Sequence, residues 1–466
     1  MSQHVQDDQQ ASIPAPHPTT DWPNPGYAWY VVVILTLAYT LSYIDRQILA
    51  IVLEPIRRDM DISDTQVSLL AGMAFAIFYV AMGIPLGRLA DRVNRRNLII
   101  LGITLWSLMT AMCGLAQNFW QLFLARIGVG IGEATLSPAA YSIISDYFPP
   151  ERRIRPLSSY NIAIPIGSSL AFIVGGAINY ILALIPEIEV PILGPLRPWQ
   201  VTFFAVGLPG LLFVLLLFTM REPARKERHG SAADHGKGVP FKDVLRFVFK
   251  ENGKTFFVIF IAYGGLVLYS VALTIWMPTM FVRKFGWSLS QIGMAQGSIL
   301  LVFATLGIII SMNLAARLKE RGQRDALMRT SLIMGALATP PSIILPLLDD
   351  PIWVLVLYCP IALFCYGLYA VVPAVLQFIT PNQMRAQVSA IFSFFNNVIG
   401  LMLGITYVAL ITDFVFQDPM KLNYSLSIVA ITTLPPSLYC LWRGLKHYRE
   451  SMMRAEAWLT PAGGKD

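Results

Sequence analysis

Apolar residues in this chain are gathered into long unbroken runs, separated by short polar stretches. Twelve runs stand out, at residues 27–53, 65–89, 97–116, 119–145, 157–183, 200–220, 255–281, 289–316, 326–346, 352–378, 384–412 and 422–442. A helix needs about 20 apolar residues to cross a bilayer, and a buried core helix of a soluble protein needs far fewer. The pattern predicts an all-α membrane protein of twelve transmembrane helices. One linker is long, Arg221 to Lys254, and it holds nine of the Lys and Arg residues. It divides the chain into a first six-helix bundle (27–220) and a second (255–442). A polar tail (1–26) precedes them and another (443–466) follows.

Composition agrees. The chain is 55% hydrophobic and 14% charged, with a mean hydropathy of +0.58. The net charge of +7 is no nucleic-acid signal, because the basic residues fall in loops between the apolar runs. With both termini placed in the cytoplasm, 27 Lys and Arg fall on the inner side and 6 on the outer. Positive charge marks the cytoplasmic side, so this orientation is the expected one. The first 26 residues contain no Lys or Arg and lack the charged-then-apolar order of a signal peptide. They are expected to be a disordered tail. The tails suggest a bacterial protein of the inner membrane. Cys113, Cys359, Cys365 and Cys440 all lie in apolar runs without metal-ligand spacing, and read as buried thiols.

The halves repeat. Ser63-Asp64-Thr65-Gln66 opens the second run and Ser288-Leu289-Ser290-Gln291 opens the eighth. Both have the capping-box form, in which side chains satisfy the free amides of a first helical turn. Pro149 with Arg153 precedes the fifth run, and Pro381 with Arg385 precedes the eleventh. Two related six-helix bundles follow from these matches at corresponding positions.

Four charges sit deep in the first bundle: Asp45, Arg46, Arg126 and Glu133. A charge near the bilayer centre costs roughly 2.5–3.5 kcal/mol on insertion scales, so it is expected to face protein or water and to find a partner. Arg126 and Glu133 are seven apart and return to nearly one helix face. Asp45 and Arg46 diverge by about 100°. One polar site is expected, with Arg46 facing a cavity and exchanging between acidic partners and an anionic substrate. Burial disfavours a charged carboxylate while a nearby arginine favours it. Glu133, set between these effects, is the candidate for proton coupling, with Asp45 as the alternative carrier; a purely structural ion pair remains the other reading. Gly128 and Gly132, and Gly130 and Ala134, are four apart, spacing that allows close helix contact.

The loop after the second run reads Gly87-Arg88-Leu89-Ala90-Asp91-Arg92-Val93-Asn94-Arg95-Arg96. It resembles the signature of the major facilitator superfamily. The resemblance implies two six-helix bundles that rock about a central site. It also implies a gating motif (Gly87, Asp91, Arg92, Arg95), with Asp91 latching onto the start of the eleventh helix. The second-half counterpart, Asn313-Leu314-Ala315-Ala316-Arg317, has Arg where the acid would stand. Asp146 is expected either to join the loop's ion pairs or to be solvated. Ser42-Tyr43-Ile44-Asp45-Arg46, Arg126 through Ala134 and Ser159 through Ser168 are similar to the Spinster family. Its animal members export lysophospholipids or sphingosine-1-phosphate. The Asp-Arg element also looks like that of sugar-acid symporters.

The second half carries no deep charge but many aromatic and amide side chains. Tyr263, Tyr269, Tyr366, Tyr369 and Asn396 are candidate cavity residues, against a plain packing role. A charged first half facing an apolar second half suits an amphiphilic anion, with its head at Arg46. The expected function is therefore proton-coupled transport of a lysophospholipid or sphingoid phosphate by a monomer among membrane lipids. Small-anion symport, drug efflux and a ligand-sensing receptor are the alternatives. No nucleophile–base pair, metal spacing or phosphate loop suggests an enzyme, and the expected driving force is a proton gradient rather than a cofactor.

Overall fold

The structure, a computed structural model, describes residues 22–459 except 91, 150–151, 186–188, 191–193 and 226–238. Eleven helices are long and apolar enough to cross a membrane. In chain order these are α1 (Pro25–Met60), α2 (Asp64–Gly83, helical on to Ala90) and α3 (Arg95–Cys113), then α6 (Arg155–Leu182), α7 (Pro198–Leu217), α8 (Gly253–Phe285), α9 (Leu289–Glu320), α10 (Ala326–Leu347), α11 (Pro351–Phe378), α12 (Gln387–Phe416) and α13 (Pro419–Ala455). The fourth apolar run differs from expectation. It forms two shorter helices, α4 (Phe119–Glu133) and α5 (Leu136–Tyr147), with a break at Ala134–Thr135. A two-residue strand pair, Glu189–Val190 with Gly194–Pro195, is the β structure among the described residues.

Helix ends follow local chemistry. Both capping boxes form: the Ser63 and Ser288 hydroxyls accept from the Gln66 and Gln291 amides, and the glutamine side chains accept in return. Arg153 and Arg385 each donate Nε to the carbonyl five residues back, Phe148 at 3.0 Å and Thr380 at 3.2 Å. The same arginine device thus sits before α6 and before α12. The last helix runs on to Leu459, well past its apolar part. The linker includes a short helix, Phe241–Arg246, and α8 begins at Gly253.

Packing repeats as well. In the first half α3 packs on α4 and α7, α2 on α4, and α1 on α6 and α7. In the second half α10 packs on α11 and α13, α9 on α11, and α8 on α12 and α13. The halves meet most extensively where α6 packs on α9. There a Cβ on Gly293 would stand 2.7 Å from the Phe172 carbonyl, so a side chain at that position would push the halves apart.

The bundle has a terminal end, where α1 begins and α13 finishes, and a far end. The halves touch at the far end. Arg283 of α8 donates to Glu54 of α1 at 2.8 Å and to both oxygens of Asp64 at the start of α2 at 2.6 and 2.7 Å. The Thr65 amide donates to Asp413 at 2.6 Å, and the Ser68 hydroxyl to Thr406 at 3.3 Å. Toward the terminal end the halves separate. A Cβ on Gly72 of α2 would meet the Leu401 carbonyl at 2.9 Å, but one on Gly83, about three turns further along the helix, meets nothing within 4 Å.

Candidate functional site

The four deep charges converge between α1 and α4. Two backbone crossings bring this about. A Cβ on Gly130 would lie 2.7 Å from the Phe75 carbonyl of α2, and one on Gly132 would lie 2.7 Å from the Trp106 amide of α3. Glycine at these positions lets α4 press against both neighbours, which sets Glu133 at the end of α4, directly before the break. Broken helices at membrane depth are tolerated where the freed backbone is buried in protein or lines a cavity. Here the Thr135 hydroxyl caps the break by donating to the Gly132 carbonyl at 2.8 Å.

Glu133 is 2% exposed. Its Oε2 accepts from Arg46 Nη2 at 2.7 Å and from Ser42 Oγ at 2.8 Å. Oε1 has no partner among the described residues. Arg46 is held over three aromatic rings, Phe75 at 4.5 Å, Tyr43 at 4.8 Å and Tyr79 at 4.9 Å. Ring faces attract a cation that has lost part of its water, so they help to hold the partly buried guanidinium. Arg126 is fully buried, with Phe75 at 5.7 Å. It approaches the Asp45 carbonyl at 3.5 Å, and its Nε and Nη2 lack partners among the described residues. Asp45 is buried and does not line the cavity, and its Oδ1 also lacks a partner among the described residues. One carboxylate is therefore ion-paired, while a buried carboxyl and a buried guanidinium, Asp45 and Arg126, keep unpartnered polar atoms among the described residues.

Arg46 lines a cavity between the halves, together with Tyr43, Gln47 and Ser168. Across it stand Ser270 and Thr274 of α8, Tyr366 and Tyr369 of α11, and Asn396 and Asn397 of α12. A second cavity adjoins, sharing Val267, Ser270, Tyr369 and Asn396 with the first. It continues into the second bundle along Leu266, Leu368, Val372 and Phe392, with Tyr263 on its wall. Tyr269 lines neither cavity. It is buried within the second bundle, where its hydroxyl donates to the Ser342 carbonyl at 2.6 Å. The Tyr263 hydroxyl bonds Ser331 at 2.7 Å, so the ring edge rather than the hydroxyl is offered to the cavity.

At the terminal end, Asp91 lies outside the described residues. Gly87 has ordinary room, with Pro138 at 3.9 Å from a built Cβ, and Arg92 is exposed. Arg95 is instead deeply buried. It binds Asp146 and Ser142 of α5, Glu222 at 2.7 Å and the Pro223 carbonyl at 3.1 Å. It pins α3, α5 and the chain leaving α7 together. Removing one member of a buried ion-pair network typically costs about 3–5 kcal/mol. Arg95→Met is accordingly expected to lower the thermal unfolding midpoint of detergent-purified protein, read by tryptophan fluorescence. An unchanged midpoint would show that this network carries no stability.

Neither the Glu54–Asp64–Arg283 cluster at the far end nor the Glu222 partner of Arg95 is visible in the sequence. Glu54, Asp64 and Arg283 are almost fully buried, although each stands at the end of an apolar run and reads as a loop charge. No group of three or more metal-binding side chains occurs among the described residues.

Two helical halves with repeated packing, set around a charged central cavity, define a membrane transporter. The chain belongs to the Major Facilitator Superfamily, whose description matches residues 35–405. A Mycolicibacterium smegmatis protein named MFS-type efflux pump is 30% identical over 95% of this chain and 98% of its own length. Human protein spinster homolog 1 is 29% identical over 56% of this chain, which spans about half (47%) of that relative. A solved bacterial homolog of the human lysosomal transporter Spinster, inward-facing and unoccupied, aligns with a TM-score of 0.72 and 26% identity. The match covers 94% of this chain and 100% of that one. Within the superfamily the chain resembles the Spinster branch.

Proposed function

We propose that this chain is a proton-coupled transporter of an amphiphilic anion, such as a lysophospholipid or sphingoid phosphate, with the anionic head at Arg46. The carrying observation is the pair of adjoining cavities. At one end Arg46 offers a fixed cation. At the other the walls are apolar and aromatic. Guanidinium forks onto carboxylate or phosphate and stays charged at any physiological pH. The apolar extension suits a hydrocarbon tail, and a sugar acid would want more hydroxyl-matching groups than Leu266, Leu368, Val372 and Phe392 provide.

The coupling follows from competition for Arg46. While Glu133 is ionised it holds the guanidinium at 2.7 Å. A proton on Glu133 removes its charge and frees Arg46 for the substrate head. Proton and anion then favour one another's binding, and a ligand with different affinity for two states shifts their balance. Arg126, which reaches only the Asp45 backbone carbonyl, and the Asp45 carboxyl, with one oxygen unpartnered among the described residues, are further groups able to take up or release a partner as the halves rock.

Residues 119–147 complete twelve spans as a broken fourth helix. The basic terminal end faces the cytoplasm, so closure at the far end makes this conformation inward-facing. In the outward-facing state Asp91 would latch the cytoplasmic side. A second reading, efflux of amphiphilic compounds, is favoured by the full-length likeness to the mycobacterial efflux pump.

Proteoliposomes under an imposed pH gradient test the proposal, with lysophospholipids, sphingosine-1-phosphate, a sugar acid and a cationic dye as candidates. Gradient-dependent movement of the anionic amphiphiles is expected. Movement of the sugar acid alone would overturn the amphiphile reading, and movement of the dye alone would favour efflux.

A further inference from the structure

A third cleft lies at the terminal end, on the outer flank of the second bundle, with a volume of about 660 Å³. That falls within the roughly 300–1,000 Å³ common for small-molecule sites. Its walls come from the end of α9, the start of α10 and the latter part of α13, far from the central cavity. We propose that it binds the headgroup of an anionic phospholipid from the surrounding leaflet.

Four cations converge on the cleft: Arg329, Arg443, Lys446 and Arg449. One buried acid organises two of them. Asp325, 2% exposed, accepts from Arg329 at 2.7 Å and stands 3.5 Å from Arg449. A single carboxylate between two guanidiniums leaves an excess of positive charge. His447 also lines the cleft and faces Glu450 at 3.4 Å, so that acid is turned to its own neighbour. Arg443 and Lys446 have no hydrogen bond or ion pair among the described residues, and both are exposed. Three apart on α13, they share one helix face.

The other walls are apolar. Leu332 and Ile333 of α10 and Trp442 of α13 line the cleft beside the cations, and Trp442 is 58% exposed. Tryptophan concentrates where the bilayer meets water, which places this cleft at headgroup level. Basic pockets between membrane helices on the cytoplasmic side suit anionic headgroups, and the adjoining apolar wall suits the first part of an acyl chain. Charge serving only to orient the protein needs to be in a loop; it does not need a concavity built around a buried aspartate. The cleft shares no lining residue with the central cavities, so its ligand does not depend on what they carry.

Native mass spectrometry of the full purified chain tests the proposal. The probes are phosphatidylglycerol, phosphatidylcholine with the same acyl chains, and inorganic phosphate. The variants are R443Q/K446Q and, as a charge-matched control, R317Q/R321Q, both positions exposed and outside the cleft. Phosphatidylglycerol is expected to stay bound to wild type and to the control, and to bind about thirtyfold more weakly to R443Q/K446Q. Equal weakening in both variants would reduce the effect to diffuse charge. Equal retention of phosphatidylcholine would make the cleft a merely apolar groove. Displacement of phosphatidylglycerol by inorganic phosphate would make it a site for a free anion. Each of these three results overturns the proposal.

Discussion

Glu133→Gln is expected to abolish the dependence of transport on pH while leaving folded protein in the membrane. The Glu133 carboxylate is the group that holds Arg46, through one oxygen that also accepts from Ser42. Glutamine keeps the size and one acceptor oxygen, so the contact with Ser42 can persist. It cannot titrate, and it carries no charge to hold the guanidinium. The variant therefore resembles the protonated state at every pH. Two consequences separate this role from a structural one. Accumulation driven by a pH gradient should be lost, while exchange of labelled for unlabelled substrate across the same vesicles should persist. Apparent affinity for the anion at alkaline pH should also rise, because Arg46 has lost its competitor. A charge-assisted hydrogen bond contributes about 1.5–3 kcal/mol, so the gain should be about ten- to hundredfold. Uptake and exchange measured side by side in proteoliposomes decide it. Retained gradient-driven accumulation would move the coupling proton to Asp45.

Much of this architecture is legible in the sequence because it depends on local chemistry. The capping boxes at Ser63 and Ser288 are four-residue devices, and they form as written. The paired arginines Arg153 and Arg385 likewise act on carbonyls five residues away. Deep charges announce themselves because insertion makes them costly, and the four in the first half do come together. What the sequence hides is of two kinds. Rotation about a helix axis decides whether an aromatic ring faces a cavity or a neighbour, so Tyr366 and Tyr369 line the cavity while Tyr269 is core. Hydropathy alone does not separate these outcomes. Partners distant in the chain are also hidden. Arg283 meets Asp64 across 219 residues, and Arg95 meets Glu222 across 127. The break after Glu133 escapes for another reason: Ala134 and Thr135 are unremarkable in composition, and the apolar run continues through them.

Arg283→Gln is expected to shift the protein toward the conformation open at the far end. Arg283 reaches from the second half to two acids of the first, with contacts of 2.6 to 2.8 Å. All three residues are buried. Without the guanidinium, Asp64 keeps, among the described residues, only Arg57 at 3.7 Å, and Glu54 keeps Arg57 and Arg58 from its own helix. Opening the far end would let water reach Asp64, whose remaining arginine stands beyond hydrogen-bond distance. Breaking such a pair costs the closed state about 3–5 kcal/mol, which is two to three powers of ten in the balance between states. Electron paramagnetic resonance distances between spin labels at Leu184 and Met420, exposed on opposite halves, can report this shift. Wild type should give one short distance, and the variant a dominant longer one. The sharper check removes the acids as well. Replacing a buried ionic group by neutral residues is often close to neutral, and the arginines left behind, Arg57 and Arg58, are only partly buried or exposed. The triple variant Glu54→Gln, Asp64→Asn, Arg283→Gln should therefore regain much of the short distance. If Arg283 only packs, the added acid substitutions will restore nothing. If the wild-type distance survives Arg283→Gln alone, the closed far end is held by the contact of α6 with α9 and not by these charges.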